Sequence, residues 1–124
     1  MAAVRAFESV NEVHISQSGV FKYVALRVVG PSKSPPRDLV RGCTSAEYHA
    51  DIVESTEKEL QDVGLGELTC ECLGGGRIRH DPDSKTLHVY GYSMGFGRAD
   101  HVETVEKLQK HYPGYTVTWS NEGY

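Results

Sequence analysis

The chain has 124 residues, 39% of them apolar and 24% charged, and its 13 basic and 17 acidic side chains leave a formal net charge of −4. That length suits one domain over residues 1–124 with a modest core, and the apolar share excludes overall disorder. The acidic balance argues against broad binding to nucleic acid or to anionic membrane surfaces, and no apolar run approaches the ~20 residues of a membrane-spanning helix.

The opening MAAVRAFESV has no apolar core followed by a small-residue cleavage site, so a secretory signal is not expected. VHIS (13–16) reads as a short edge strand. FKYVALRVV (21–29) alternates, with Lys22, Val24, Leu26 and Val28 on one face and Phe21, Tyr23, Ala25 and Arg27 on the other, which predicts a strand. GPSKSPPRD (30–38) is a polar, proline-rich loop, and LVRG (39–42) a brief strand after it. Thr44 with Glu47 forms the pattern of a capping box and predicts a helix from 44–45. Ala46, His49, Ala50, Val53, Leu60 and Val63 then fall at helical spacing on an inward face, and the glycines of GLGE (64–67) end it.

LTCECLGGGRIRH (68–80) and TLHVYGYS (86–93) read as strands joined by the hairpin connection DPDSK. Asp100 and Glu103 mark a second helix start, with Val102, Val105 and Leu108 inward as far as about Tyr112, and YTVTW (115–119) is a last strand. This order predicts an α+β fold, a mixed α/β sandwich with one sheet of about five to six strands and two helices. Hairpins and helical crossovers both occur, so the sheet should mix parallel and antiparallel pairs. The three cysteines are an odd count, two of them in CEC (70–72), which points to reduced thiols and a cytoplasmic protein.

Four places carry candidate chemistry. His49 lies beside a helix start, where the helix dipole disfavours imidazolium and keeps the ring neutral, as a general base requires. A histidine on an inward face is also an ordinary packed residue, and position alone leaves both readings open. Three consecutive glycines in LGGGRIR (73–79) mark either a bulge or a close approach to the backbone, and Arg77 follows them with a planar fork suited to phosphate. GYSMGFGRADH (91–101) is a glycine-rich loop before a helix, in which Ser93 and the N–H groups around Met94 and Gly95 can hold a small oxyanion. Asp100 stands where a dinucleotide fingerprint needs its third glycine, which excludes that reading. Lys22 opens the apolar stripe of its strand, either snorkelling to solvent or reaching a phosphate. His80, His88, Cys70 and Cys72 lack zinc-site spacing, and Cys72 with Arg77 falls one residue short of C-x5-R.

In order, FKYV, VRG…AEYHADI, CECLGGGRI, HVYGYSMGFG, YPGYTVTW and the terminal NEGY resemble the protein histidine phosphatase family, also called the janus/ocnus family, from about Val13 to Tyr124. The resemblance implies that His49 is the catalytic histidine, and that Lys22, Arg41 and Arg77 bind phosphate. It further implies that Ser93, the loop amides including Gly95 and the amide of Ala50 lie near that phosphate, and that no metal or organic cofactor takes part. The implied activity is hydrolysis of the P–N bond of phosphohistidine, and of phospholysine as a second substrate, in partner proteins by a monomer. His49 would act as general base or as transient phosphoryl acceptor. The rival from another class is a phosphate-recognising module that binds phosphorylated proteins without turning them over. Cys43, Thr44, Ser45, Gly95 and Arg98 depart from the family's common choices beside the site.

Overall fold

In the computed structural model, which describes residues 7–30, 35–62 and 69–121, helical residues 7–9 (α1) lead into β1 (Val13–His14). There follow β2 (Gly19–Val29), β3 (Arg37–Cys43), α2 (His49–Asp62), β4 (Thr69–Asp81), β5 (Thr86–Tyr90), α3 (His101–His111) and β6 (Thr116–Trp119). All six strands join one sheet in the order β1-β3-β2-β4-β5-β6. The β1/β3 and β5/β6 pairs are parallel and the other three antiparallel, so the α+β class and the mixed sheet are as expected. The long antiparallel pair β2/β4 forms its centre, with Lys22 opposite Arg77.

Both faces of β2 are used, which explains its almost unbroken apolar run. Phe21 and Tyr23 pack with Ile78, Val89 and Leu108 on the side covered by α3. Val24 and Leu26 pack with Ile52 of α2 on the other side. Each such fully buried aliphatic side chain contributes about 1.5–3 kcal/mol of transfer free energy. A further cluster joins Phe7, Val28, Leu39 and Leu60 at the far end of α2. Phe7 is thus why α1 exists as a third helical segment where two helices were expected: it plugs the end of the α2 layer.

Three boundaries differ from the sequence expectation for identifiable reasons. β3 starts at Arg37, inside the expected loop, because the Arg27 guanidinium donates to both oxygens of Asp38 across the pair, at 2.9 and 3.1 Å. Residues 31–34 of that loop, and the GLGE stop of α2 with Val63, lie outside the described residues. α2 starts at His49, not at 44–45: the Tyr48 N–H donates to Asp51 Oδ2 at 2.8 Å, so Asp51 caps it and the Thr44–Glu47 pair does not. The inward face accordingly reads His49, Ile52, Thr56 and Leu60, while Ala50 is exposed. In α3, Asp100 is the expected cap and accepts from the N–H groups of Val102 and Glu103. Val102 is exposed, though, and polar His101 and Thr104 take inward places beside Val105 and Leu108. The phenol of Tyr23, itself buried, explains this, lying 2.6 Å from His101 Nδ1 and 3.2 Å from Thr104 Oγ1.

Candidate active site

The glycine run of β4 is the floor of the site. The β2/β4 register slips between Ala25 and Leu26, so the run sits at a bulge, and close approach also holds. A Cβ on Gly75 would lie 2.7 Å from His49 Cδ2, 2.7 Å from the Tyr23 carbonyl oxygen and 3.2 Å from Ser93 Cβ. Only glycine leaves room for the imidazole there. His49 and Ser93 therefore meet over one residue, although they lie on α2 and on the loop after β5.

His49 is buried, and its Nε2 is 2.9 Å from the Gly76 carbonyl oxygen. A carbonyl can only accept, so Nε2 carries the proton and Nδ1 keeps its lone pair. Burial pushes the imidazole pKa below its ordinary value; the Gly76 bond opposes that shift, and the charges of Lys22 and Arg77 add to it. One nitrogen of His49 is thus satisfied like that of a core histidine, while the other keeps its lone pair.

Lys22 and Arg77 face each other across β2 and β4, on the sheet face that carries Gly75 and α2. Among the described residues no carboxylate forms an ion pair with Lys22. Ser93 is buried; its N–H donates to the Gly97 carbonyl at 3.0 Å, and its Oγ accepts from the Phe96 N–H at 3.2 Å. A second pair of bonds ties this loop to the glycine run: Gly75 N–H to Gly97 O at 3.0 Å and Ala99 N–H to Gly75 O at 3.1 Å. Met94 and Gly95 form the tip, Met94 is exposed, and nothing crowds a Cβ at Gly95. Ala50 is the second residue of α2, where backbone N–H groups have no intrahelical acceptor. His49, Ala50, Lys22, Arg77 and the Ser93–Gly95 segment thus belong to one neighbourhood with a cationic floor and backbone donors.

Arg41 is not brought there. Its buried guanidinium donates to both Glu59 carboxylate oxygens at 3.3 and 3.2 Å, to the Asn11 carbonyl at 2.7 Å, and to the carbonyls of Glu12 and Val40. It ties β3 to α2 and to the chain before β1. The weighed alternatives separate too. His80 and His88 occupy successive register positions, opposite Leu87 and Arg79, on opposite faces of the sheet. Among the described residues, no three His, Cys, Asp or Glu side chains converge as a metal site would require. Burial pushes the Cys72 thiol up and the Cys70 thiol up to about 11, which unsuits both for a nucleophilic role.

Sequence reasoning placed Cys43 beside the site only as a departure from the family's common choices; in the sheet it pairs with Lys22 on the opposite side from Arg77. Its thiol is shifted down by its hydrogen bond with Ser45, 2.9 Å away. Its pairing with Lys22 lay only in strand register, which a single sequence does not reveal. The cap by Asp51 was legible in principle, as an acidic residue three places after Tyr48.

The model of the Janus/Ocnus family matches residues 7–116. The chain is 48% identical over 129 aligned positions to a 14 kDa phosphohistidine phosphatase of Sus scrofa, covering 100% of both chains. It is 45% identical to the Homo sapiens protein of the same name, covering 98% of this chain and 99% of that one. A sex-regulated protein janus-A of Drosophila simulans is 46% identical, with 96% of this chain and 85% of the other covered.

Proposed function

The chain belongs to the Janus/Ocnus family, and from that footing we propose that it is a phosphohistidine phosphatase, hydrolysing the P–N bond of phosphohistidine in proteins. The observation that carries this reading is the contact of His49 Nε2 with the Gly76 carbonyl: Nε2 must donate there, so the lone pair of Nδ1 is left as a base beside Lys22 and Arg77. The substrate phosphoryl group rests against Lys22 and Arg77, with the amides of Met94, Gly95 and Ala50 as further donors. Phosphoryl transfer passes through a loose, charge-spread transition state, so positioning and electrostatic stabilisation supply most of the catalysis.

On one route Nδ1 takes a proton from water as the water oxygen attacks phosphorus. The P–N bond then breaks and the departing imidazole nitrogen takes up a proton, leaving inorganic phosphate. On the other, Nδ1 itself attacks phosphorus while the substrate P–N bond breaks and its nitrogen takes up a proton, and water then displaces the phosphoryl group from His49 as inorganic phosphate. Neither route calls for a metal ion, and phospholysine fits the same chemistry through its P–N bond. The three cysteines, all free thiols, fit a reducing compartment, and we assign a monomer acting in the cytoplasm.

Phosphate release from a phosphohistidine peptide, assayed with excess chelator, tests this reading. Many turnovers per protein are expected. Stoichiometric capture of the peptide without release would favour the non-catalytic binding module, and activity lost on chelation would restore a metal.

A further inference from the structure

Helix α2 covers only part of its side of the sheet. It packs on β2, β3 and β4, where Ile52 meets Val24 and Leu26, whereas α3 packs on β5 and β6 from the other side. Burial along the strands follows this division. Phe21, Ile78, Leu87 and Val117 are buried on the α3 side, while the residues alternating with them on the α2 side are not.

Strand register arranges those uncovered residues in two rows. Lys22, Arg77 and Tyr90 lie side by side across β2, β4 and β5, and Val20, Arg79, His88 and Thr118 form the next row across β2, β4, β5 and β6. The second row is thus one same-face step from the phosphoryl site on both β2 and β4. Val20 and Arg79 are exposed. The His88 ring stacks on Tyr90 with centroids 5.5 Å apart, and its Nδ1 lies 2.8 Å from Thr118 Oγ1, which fixes one edge of this face.

The charge of the face runs against that of the molecule. The chain carries −4 overall, yet the two rows hold Lys22, Arg77 and Arg79 and no carboxylate. Further along β4 on the same face, Asp81 already accepts from the N–H groups of Asp83 and Ser84 at the hairpin turn. Among the described residues no carboxylate forms an ion pair with Arg79. We propose that this open face receives an extended acidic segment of the substrate protein, with Arg79 pairing an aspartate or glutamate two residues from the phosphohistidine. The spacing follows from strand geometry: same-face residues of an extended chain repeat about every 6.6 Å, which is also the step from Arg77 to Arg79 along β4. This specificity rests on the P–N phosphatase reading of the adjacent site.

The test compares two phosphohistidine peptides that differ only in having glutamate or glutamine two residues to either side, with phosphoimidazole, which has no carboxylate, as a third substrate. The wild-type protein should show a KM about threefold lower for the glutamate peptide, the size of one exposed ion pair. Arg79→Gln should remove that difference and leave turnover of phosphoimidazole unchanged, because Arg79 is exposed and lies off the phosphoryl row. Equal KM values in the wild type, or a difference that survives Arg79→Gln, would overturn the proposal. Phosphoimidazole turnover that falls in Arg79→Gln would overturn it too, by placing Arg79 at the phosphoryl group. If neither peptide nor phosphoimidazole releases phosphate, the phosphatase reading fails instead, and the face is judged by titrating the two phosphopeptides. The glutamate peptide should then bind about threefold more tightly and shift the amide resonances of Val20, Arg79 and His88. Equal Kd values, or resonances that stay in place, would overturn the docking face.

Discussion

At the scale of single residues, His49 and Arg41 show how partners decide a role. His49 is held neutral by burial and by two neighbouring cations, and its protonation removes the base. The acidic limb of kcat/KM should therefore fall below the ordinary histidine value of about 6.5, with activity lost as pH drops through it. Lys22→Met removes one of those cations, so the limb should move up, and the loss of a phosphate contact should raise KM about tenfold. A limb that stays in place in that variant would break the electrostatic link between Lys22 and His49. Arg41 was implied as a phosphate ligand, yet its donors are all consumed within the fold. Arg41→Met should cost about 2–4 kcal/mol of stability, because three carbonyls lose a buried partner, while KM hardly changes. Thermal denaturation with steady-state kinetics measures both, and a large KM rise at unchanged Tm would return Arg41 to the substrate.

At the scale of elements, the glycine run of β4 and the start of α2 fix the catalytic geometry together. Gly75→Ala should lower kcat/KM by more than about tenfold and stability by about 1–3 kcal/mol, since the new methyl meets the His49 ring and the immovable Tyr23 carbonyl. Full activity in that variant would mean that the ring has another resting place. The run itself was legible as an anomaly, because glycine offers a strand nothing to pack. What it accommodates was not, since His49 lies on a separate helix and reaches Gly75 only through tertiary packing. The α2 boundary was misread for a related reason: Thr44–Glu47 matches the capping-box pattern, whereas the bond that forms is only its reverse half, from the Tyr48 N–H to Asp51. The sequence alone does not say which one the β3 turn presents to the helix. Lys22 was legible as an ionic residue at the head of an apolar stripe, but its pairing with Arg77 depends on a register set partly by the bulge. Strand existence followed from alternation, whereas strand order depended on contacts distant in sequence.

At the scale of the molecule, the sheet carries a buried histidine on each side of the β4 glycines: His49 beneath α2 and His101 beneath α3. Burial lowers both pKa values, so over the interval just below pH 6.5 the unfolded chain binds protons that the folded chain does not. Stability should thus be complete above about pH 6.5 and decline as pH falls below it, well before carboxylates such as Asp81 protonate. Differential scanning calorimetry between pH 7.5 and 5.5 measures this, and a flat Tm would contradict it. The same architecture places His49, Lys22, Arg77 and the Ser93 loop near the start of α2, where the proposed reaction would use them together. Time-resolved phosphorus NMR of a phosphohistidine peptide with wild-type protein and with folded His49→Ala tests that claim most directly. Inorganic phosphate should accumulate over many turnovers with the wild type and about 10²–10⁴ times more slowly with the variant; equal rates in the two would contradict it.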